Sequence, residues 1–181
     1  MTAVDVYELT TKGGATDFAQ VIAACESIGS YCLIGGLAVN CYVEPVYTLD
    51  VDLVIIARGL SEAAAHLRNE GFTIVIHENS TNANRPGSDL RVQFTTDMRY
   101  QEFVSRAEVR DVLGQPVQVA RLEDVTQGKL WAYADPSRRL SKRKKDELDL
   151  IRLAEKYPKL KAHYPRGLLE QLAEDETRRS E

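Results

Sequence analysis

Residues 31–56, YCLIGGLAVNCYVEPVYTLDVDLVII, decide how this chain is read. The apolar run Tyr31 to Ile34 enters a Gly35-Gly36 pair, Leu37 to Val43 reads as a short helix, and Asp50-Val51-Asp52 opens a second apolar run. The order is strand, glycine corner, helix, then a strand carrying two carboxylates. Paired glycines let the backbone approach an anion closely, and the N–H groups that begin a helix then point at it. Asp50 and Asp52 are two apart on a strand, so both side chains leave from one face, with Cα atoms roughly 6.5 Å apart. Such a pair suits Mg²⁺ (or Mn²⁺), a hard cation held by carboxylate and phosphate oxygens. Read together, the two features predict metal-assisted handling of a nucleoside triphosphate. A plain tight turn and a solvated pair of acids are the alternatives for each alone.

A length of 181 residues bounds the chain to one core, or one domain with a small appendage. With 44% hydrophobic and 28% charged residues the composition is that of a globular protein. A net charge of −4 excludes a global basic field, so contact with nucleic acid requires a local patch. No apolar run reaches the roughly 20 residues of a membrane helix and no signal-peptide pattern opens the chain, so the expected location is the cytoplasm, with no membrane partner. Cys25, Cys32 and Cys41 lack paired spacing and lie in apolar stretches, which reads as buried free thiols. His66, His77 and His163 occupy positions that assign them no catalytic role.

Outward from the central stretch, Val4 to Leu9 reads as an edge strand. Asp17 caps a helix through Phe18, Val21, Ile22 and Cys25 that closes at Gly29. Ser61 caps another that runs to Glu70 and stops at Gly71. Phe72 to His77 alternates as a strand, and Glu78 to Gly87 reads as a polar loop in which Arg85 either faces an anion or is solvated. Along Ser88 to Thr95, Leu90, Val92 and Phe94 point one way, and Asp89, Arg91, Gln93 and Thr95 the other. Asp97 starts a short helix, and Glu108 to Leu113 with Pro116 to Ala120 forms a hairpin. The boundary falls after Arg121, dividing a core of residues 1–121 from a helical portion of residues 122–181.

In that portion, placing Asp146 at zero on a helical wheel brings Leu150, Leu153 and Tyr157 within about 40° of it. A carboxylate on an apolar stripe needs a partner, and Lys129 on the preceding helix is in reach. An interhelical ion pair is one account of Asp146; a role beside a bound anion is the other. Arg138, Arg139, Lys142, Arg143, Lys144 and Lys145 form a dense basic run, either a solvated face or a seat for phosphates.

The Gly35-Gly36 corner followed by Asp50-x-Asp52 resembles the signature of the DNA polymerase beta-like nucleotidyltransferase superfamily. Within it the chain looks most like the small bacterial AbiEii toxin and minimal-nucleotidyltransferase type. The resemblance implies an α/β (α+β) fold, with a mixed sheet flanked by helices and a helical C-terminal portion. It implies an NTP substrate, transfer of a nucleoside monophosphate to a hydroxyl of RNA (tRNA) or protein, and a cognate antitoxin protein as partner. Family members carry a third acid on a neighbouring strand, and Gln93 stands in that position here. An amide binds Mg²⁺ less well than a carboxylate and cannot act as a general base. Lys129 in QGKLWA and Lys145-Asp146-Glu147-Leu148-Asp149 match the family's lysine and its Lys-Asp-x-x-Asp element. By that match Lys129 and Lys145 contact phosphates, and Asp146 orients one of them or the acceptor. The competing class is a catalytically degenerate member retained as a nucleotide- or partner-binding module.

Overall fold

Thr2 decides the first element. Its Oγ1 accepts from the Asp5 N–H at 3.1 Å while the Asp5 carboxylate accepts from the Thr2 N–H at 2.6 Å. This reciprocal cap satisfies two otherwise orphaned donors. The segment expected as an edge strand at Val4 to Leu9 is therefore helix α1 (Ala3–Thr10). A computed structural model describes residues 1–56 and 59–180. The chain divides into two units, Met1–Arg121 and Leu122–Glu181.

In the first unit, α2 (Gly14–Ile28) begins three residues ahead of Asp17, because the Gly14 N–H donates to Thr11 Oγ1 at 2.9 Å. Phe18, Val21, Ile22 and Cys25 form its buried stripe, as their spacing predicts. Strand β1 (Tyr31–Ile34) runs directly into α3 (Gly35–Val39), which includes both glycines and ends four residues short of the expected Val43. Then come β2 (Asp50–Ile55), α4 (Leu60–Asn69) and β3 (Thr73–Ile76). Helix α4 takes no side-chain cap from Ser61, and Gly71 at φ +90° follows it.

The stretch expected as a loop contains a strand, β4 (Ser80–Asn84), followed by β5 (Arg91–Thr95). Its residues are weak strand formers, but Thr81 and Ala83 are small enough to be buried between neighbours, and pairing with β3 on one side and β5 on the other supplies the ladder. A 3₁₀ turn (Met98–Tyr100), α5 (Gln101–Ser105) and the hairpin of β6 (Glu108–Val112) with β7 (Gln115–Val119) complete the unit. The hairpin turns at Leu113 and Gly114, both with positive φ, as a two-residue connection requires.

The seven strands form one sheet in the order β3-β4-β5-β2-β1-β7-β6. β2 pairs parallel with β5, and β1 parallel with β7, while the other neighbours are antiparallel, so the sheet is mixed as expected. Val51, Leu53 and Ile55 are buried on one face, where Gly59 lies against Ile28 of α2 and Ile55.

The second unit is helical: α6 (Leu122–Ala134), α7 (Leu140–Lys156), a 3₁₀ stretch (Pro158–His163) and α8 (Arg166–Ser180). Asp135-Pro136 separates α6 from α7, and Leu150, Leu153 and Leu168 are fully buried. Among the described residues no helix is long and apolar enough to cross a membrane.

Arg85, half-buried, is taken up by partners within its own unit. Its Nε lies 3.1 Å from the Asp17 carboxylate, its terminal nitrogen donates to Gln20 and to the Glu70 carbonyl, and its guanidinium stacks 4.6 Å from the Phe72 ring. It ties the end of β4 to α2 and to the turn after α4. Asp17 is 4% exposed, so removing Arg85 leaves an unpaired buried charge. Arg85→Met is expected to lower stability to urea by about 2–3 kcal/mol, less than for a fully enclosed pair because Arg85 keeps some solvent.

Candidate active site

The antiparallel register of β1 with β2 places Ile34 opposite Asp52, and the next residue after Ile34 is Gly35. Gly35 has φ +71°, a conformation that L side chains rarely adopt. A Cβ added there would collide with Asp52 Oδ2 and stand 2.8 Å from Asp52 Cγ. The glycine corner and one carboxylate thus meet, and only a residue without a side chain allows it.

Asp50 and Asp52 leave β2 on the face opposite Val51 and Leu53, and both are partly exposed. Further along the same face Val54 is fully buried, with Cys32 opposite it on β1 and equally enclosed, so the face opens only at its acidic end. The parallel register of β2 with β5 sets Arg91 beside Asp50 and Gln93 beside Asp52. Gln93 therefore occupies the neighbouring-strand position where the family resemblance implies a third acid. Asn82 of β4 is opposite Gln93 on its other side, giving a lateral row of Asp52, Gln93 and Asn82.

Two acids near β5 are engaged elsewhere. Asp89 pairs with Lys12 at 3.0 Å. Asp97 accepts from the Arg99 side chain and backbone, and the Arg99 hydrogen bond holds its carboxyl below the usual range. Among the described residues no group of three or more His, Cys, Asp or Glu side chains is placed to share a metal. The oxygen donors gathered here are two carboxylates and a carboxamide, a set whose hardness fits Mg²⁺ or Mn²⁺ with substrate oxygens completing the shell.

Two neighbours of the acid pair carried no assigned role in the sequence. Arg91 Nε lies 2.9 Å from Asp50 Oδ1; its place two residues before Gln93 on the same face was the available signal. Tyr7 of α1 donates to the Thr48 carbonyl at 3.0 Å, two residues ahead of Asp50. Burial first, then Tyr47 and Asp50, push the Tyr7 phenol up to about 12, so it remains a donor that fixes the start of β2. No sequence signal links it to that strand. Cys25 and Cys32 are buried free thiols as expected, whereas Cys41 is free but only half-buried; burial pushes the Cys25 and Cys41 thiols up to about 12 and 11.

In the second unit Asp146 is 1% exposed. Lys129 Nζ lies 2.9 Å from Asp146 and 2.7 Å from Asp149, while Arg138 Nε reaches Asp146 at 2.6 Å and Arg152 reaches Asp149 at 2.8 Å. The interhelical ion pair anticipated for Asp146 is present, and it extends to a second carboxylate. Lys145, which immediately precedes Asp146 in α7, is half-buried.

No family model and no curated relative matches the sequence. Solved structures do match in fold. The antibiotic-resistance factor ANT(2'')-Ia, in a crystal structure with adenylyl-2''-tobramycin, superposes with a TM-score of 0.56 at 14% identity, over 91% of this chain and 97% of that one. Its solution structure gives 0.54 at 16% identity, over 92% of each chain. An antigenic nucleotidyltransferase-like protein from Paracoccidioides brasiliensis gives 0.53 at 20% identity, over 80% of this chain and 77% of that one. The fold is thus of the nucleotidyltransferase type.

Gly35→Ala is expected to cost about 1–3 kcal/mol from backbone strain alone, and to displace the Asp52 side chain, read as a change in melting temperature and in the Asp52 carboxylate NMR shift. For Lys129, burial works to lower its pKa, but Asp149 and then Asp146 outweigh it and raise it above the ordinary 10.5. A raised lysine contributes its stability in full below the unfolded value and loses it as pH climbs through the folded one. Lys129→Met is therefore expected to lose about 3–5 kcal/mol, with the gap to wild type constant from pH 7 to about 10.5 and closing only above it, followed by denaturant titration.

Proposed function

We propose that the chain is a Mg²⁺- or Mn²⁺-dependent nucleotidyltransferase of the cytoplasm, which moves a nucleoside monophosphate from an NTP to an acceptor hydroxyl and releases pyrophosphate. The observation that carries this reading is the contact of Gly35 with Asp52 on the face that also bears Asp50. Asp50 and Asp52 would hold the metal. When bound, it would neutralise charge on the attacking and leaving oxygens. The Gly35 and Gly36 amides would receive the phosphates without needing a large basic side chain.

Following the motif match, Lys145 would contact phosphates; the match gives Lys129 the same role, but its ammonium is enclosed between Asp146 and Asp149, which suits it to joining α6 to α7 instead. Gln93 can orient an acceptor hydroxyl by hydrogen bonds but cannot take its proton, which must pass to solvent or to substrate oxygens. The likeness to the AbiEii type favours an RNA (tRNA) or protein acceptor and a cognate antitoxin. The adenylyl-2''-tobramycin bound to ANT(2'')-Ia favours instead a small hydroxylated molecule. The row Asp52, Gln93, Asn82 supports a second reading, in which the chain binds nucleotide without transferring it.

Incubation of the purified protein with labelled NTPs, Mg²⁺ or Mn²⁺ and separate RNA, protein and aminoglycoside acceptors distinguishes these readings. Label transfer is expected, reduced by about 100-fold or more in Asp52→Asn. Gln93→Asp is expected to raise turnover by at least about tenfold, toward the range a positioned base supplies. Metal-dependent nucleotide binding with no transfer to any acceptor, in wild type and Gln93→Asp alike, would instead establish the binding module.

A further inference from the structure

We infer that Arg91 serves as a built-in counter-cation for Asp50, occupying that carboxylate until metal arrives and then engaging the triphosphate. The inference rests on the reading of Asp50 and Asp52 as metal ligands. Arg91 is not a chance neighbour of Asp50. The parallel register sets the two residues side by side on one face of the sheet, and the Arg91 N–H donates to the Leu49 carbonyl at 2.9 Å, which locks that register. From there Nε reaches Asp50 Oδ1 at 2.9 Å.

The pair differs in kind from those that hold the fold. Arg91 is 61% exposed and Asp50 22%, whereas the Lys129 and Asp146 side chains are 8% and 2% exposed. An ion pair so open to solvent is held weakly and exchanges readily. It still relieves the repulsion between two carboxylates projecting from one strand face while no metal is present. A divalent cation reaching Asp50 competes with the guanidinium for that carboxylate and loosens its hold. The freed group remains tethered to β5 beside the acids, with five donors arranged to match phosphate oxygens. Arg91 would thus trade a carboxylate for a phosphate as metal and nucleotide bind, without a backbone movement.

The consequence is a pair of effects opposite in sign. Mn²⁺ affinity without nucleotide, read by electron paramagnetic resonance of free Mn²⁺, is expected to rise about 2- to 5-fold in Arg91→Met, while Arg91→Lys stays near wild type. Affinity of the Mn²⁺-loaded protein for a non-hydrolysable ATP analogue, read by calorimetry, is expected to fall about tenfold in Arg91→Met. Loss of structure alone would weaken both. If both move in the same direction, or neither moves, while wild type binds Mn²⁺ and Asp52→Asn does not, the role of Arg91 is overturned and the acid pair stands. If wild type binds no Mn²⁺ at all, the metal reading fails and this inference fails with it.

Discussion

The site depends on one steric constraint: the Asp52 carboxylate occupies the space where any residue other than glycine at position 35 would put its Cβ. Everything adjoining follows from strand register. β2 is paired antiparallel to β1 on one side and parallel to β5 on the other. The first pairing brings the glycine corner to Asp52, and the second brings Arg91 and Gln93 beside Asp50 and Asp52. A one-residue slip of β2 would turn both acids into the face that now buries Val51 and Leu53. That burial excludes the slip, so the same residues that close the core also aim the acids outward.

Charge is handled in two ways within one chain. Lys129, Asp146 and Asp149 are nearly enclosed and answer one another and two flanking arginines, Arg152 and the more open Arg138, at 2.6–2.9 Å. Such a cluster offers little net stability over apolar packing, yet it is costly to break, so it fixes how α6 meets α7. Around Asp50 the pairing is open to water, and Arg91 can leave at small cost. Burial, more than distance, separates a charge that specifies packing from one available to a ligand.

Much of this was legible in the sequence, for identifiable reasons. The corner and the acid strand are readable because apolar runs on either side mark the strands and the paired glycines mark the turn between β1 and α3. Asp146 could be placed on the apolar stripe, and its partner Lys129 named, because helical periodicity fixes which side chains share a face. The failures were of two kinds. Helix α1 is hard to read by pattern because Val4, Val6 and Tyr7 favour a strand, while the cap that fixes it joins Thr2, ahead of them, to Asp5. The β4 strand was missed because Ser80 to Asn84 has turn-like composition, and only its two neighbours make it a strand. Arg85 and Arg91 were ambiguous for the same reason: a long cation takes its role from whichever carboxylate the fold brings to it, and that information is nonlocal.

An amide at position 93, where the family resemblance implies an acid, has an electrostatic logic of its own. Asp50 and Asp52 already place two negative charges on one strand face, with one guanidinium beside them. A carboxylate at position 93 would sit next to Asp52 in register and could only repel it, unless a second cation were resident. A carboxamide there can donate toward Asp52 and accept from the Asn82 side, so the row costs little without metal. The trade is chemical. A third carboxylate would draw a second cation and take a proton from an incoming hydroxyl; the amide does neither, and in the proposed reaction would leave that proton to solvent or to the substrate's own oxygens.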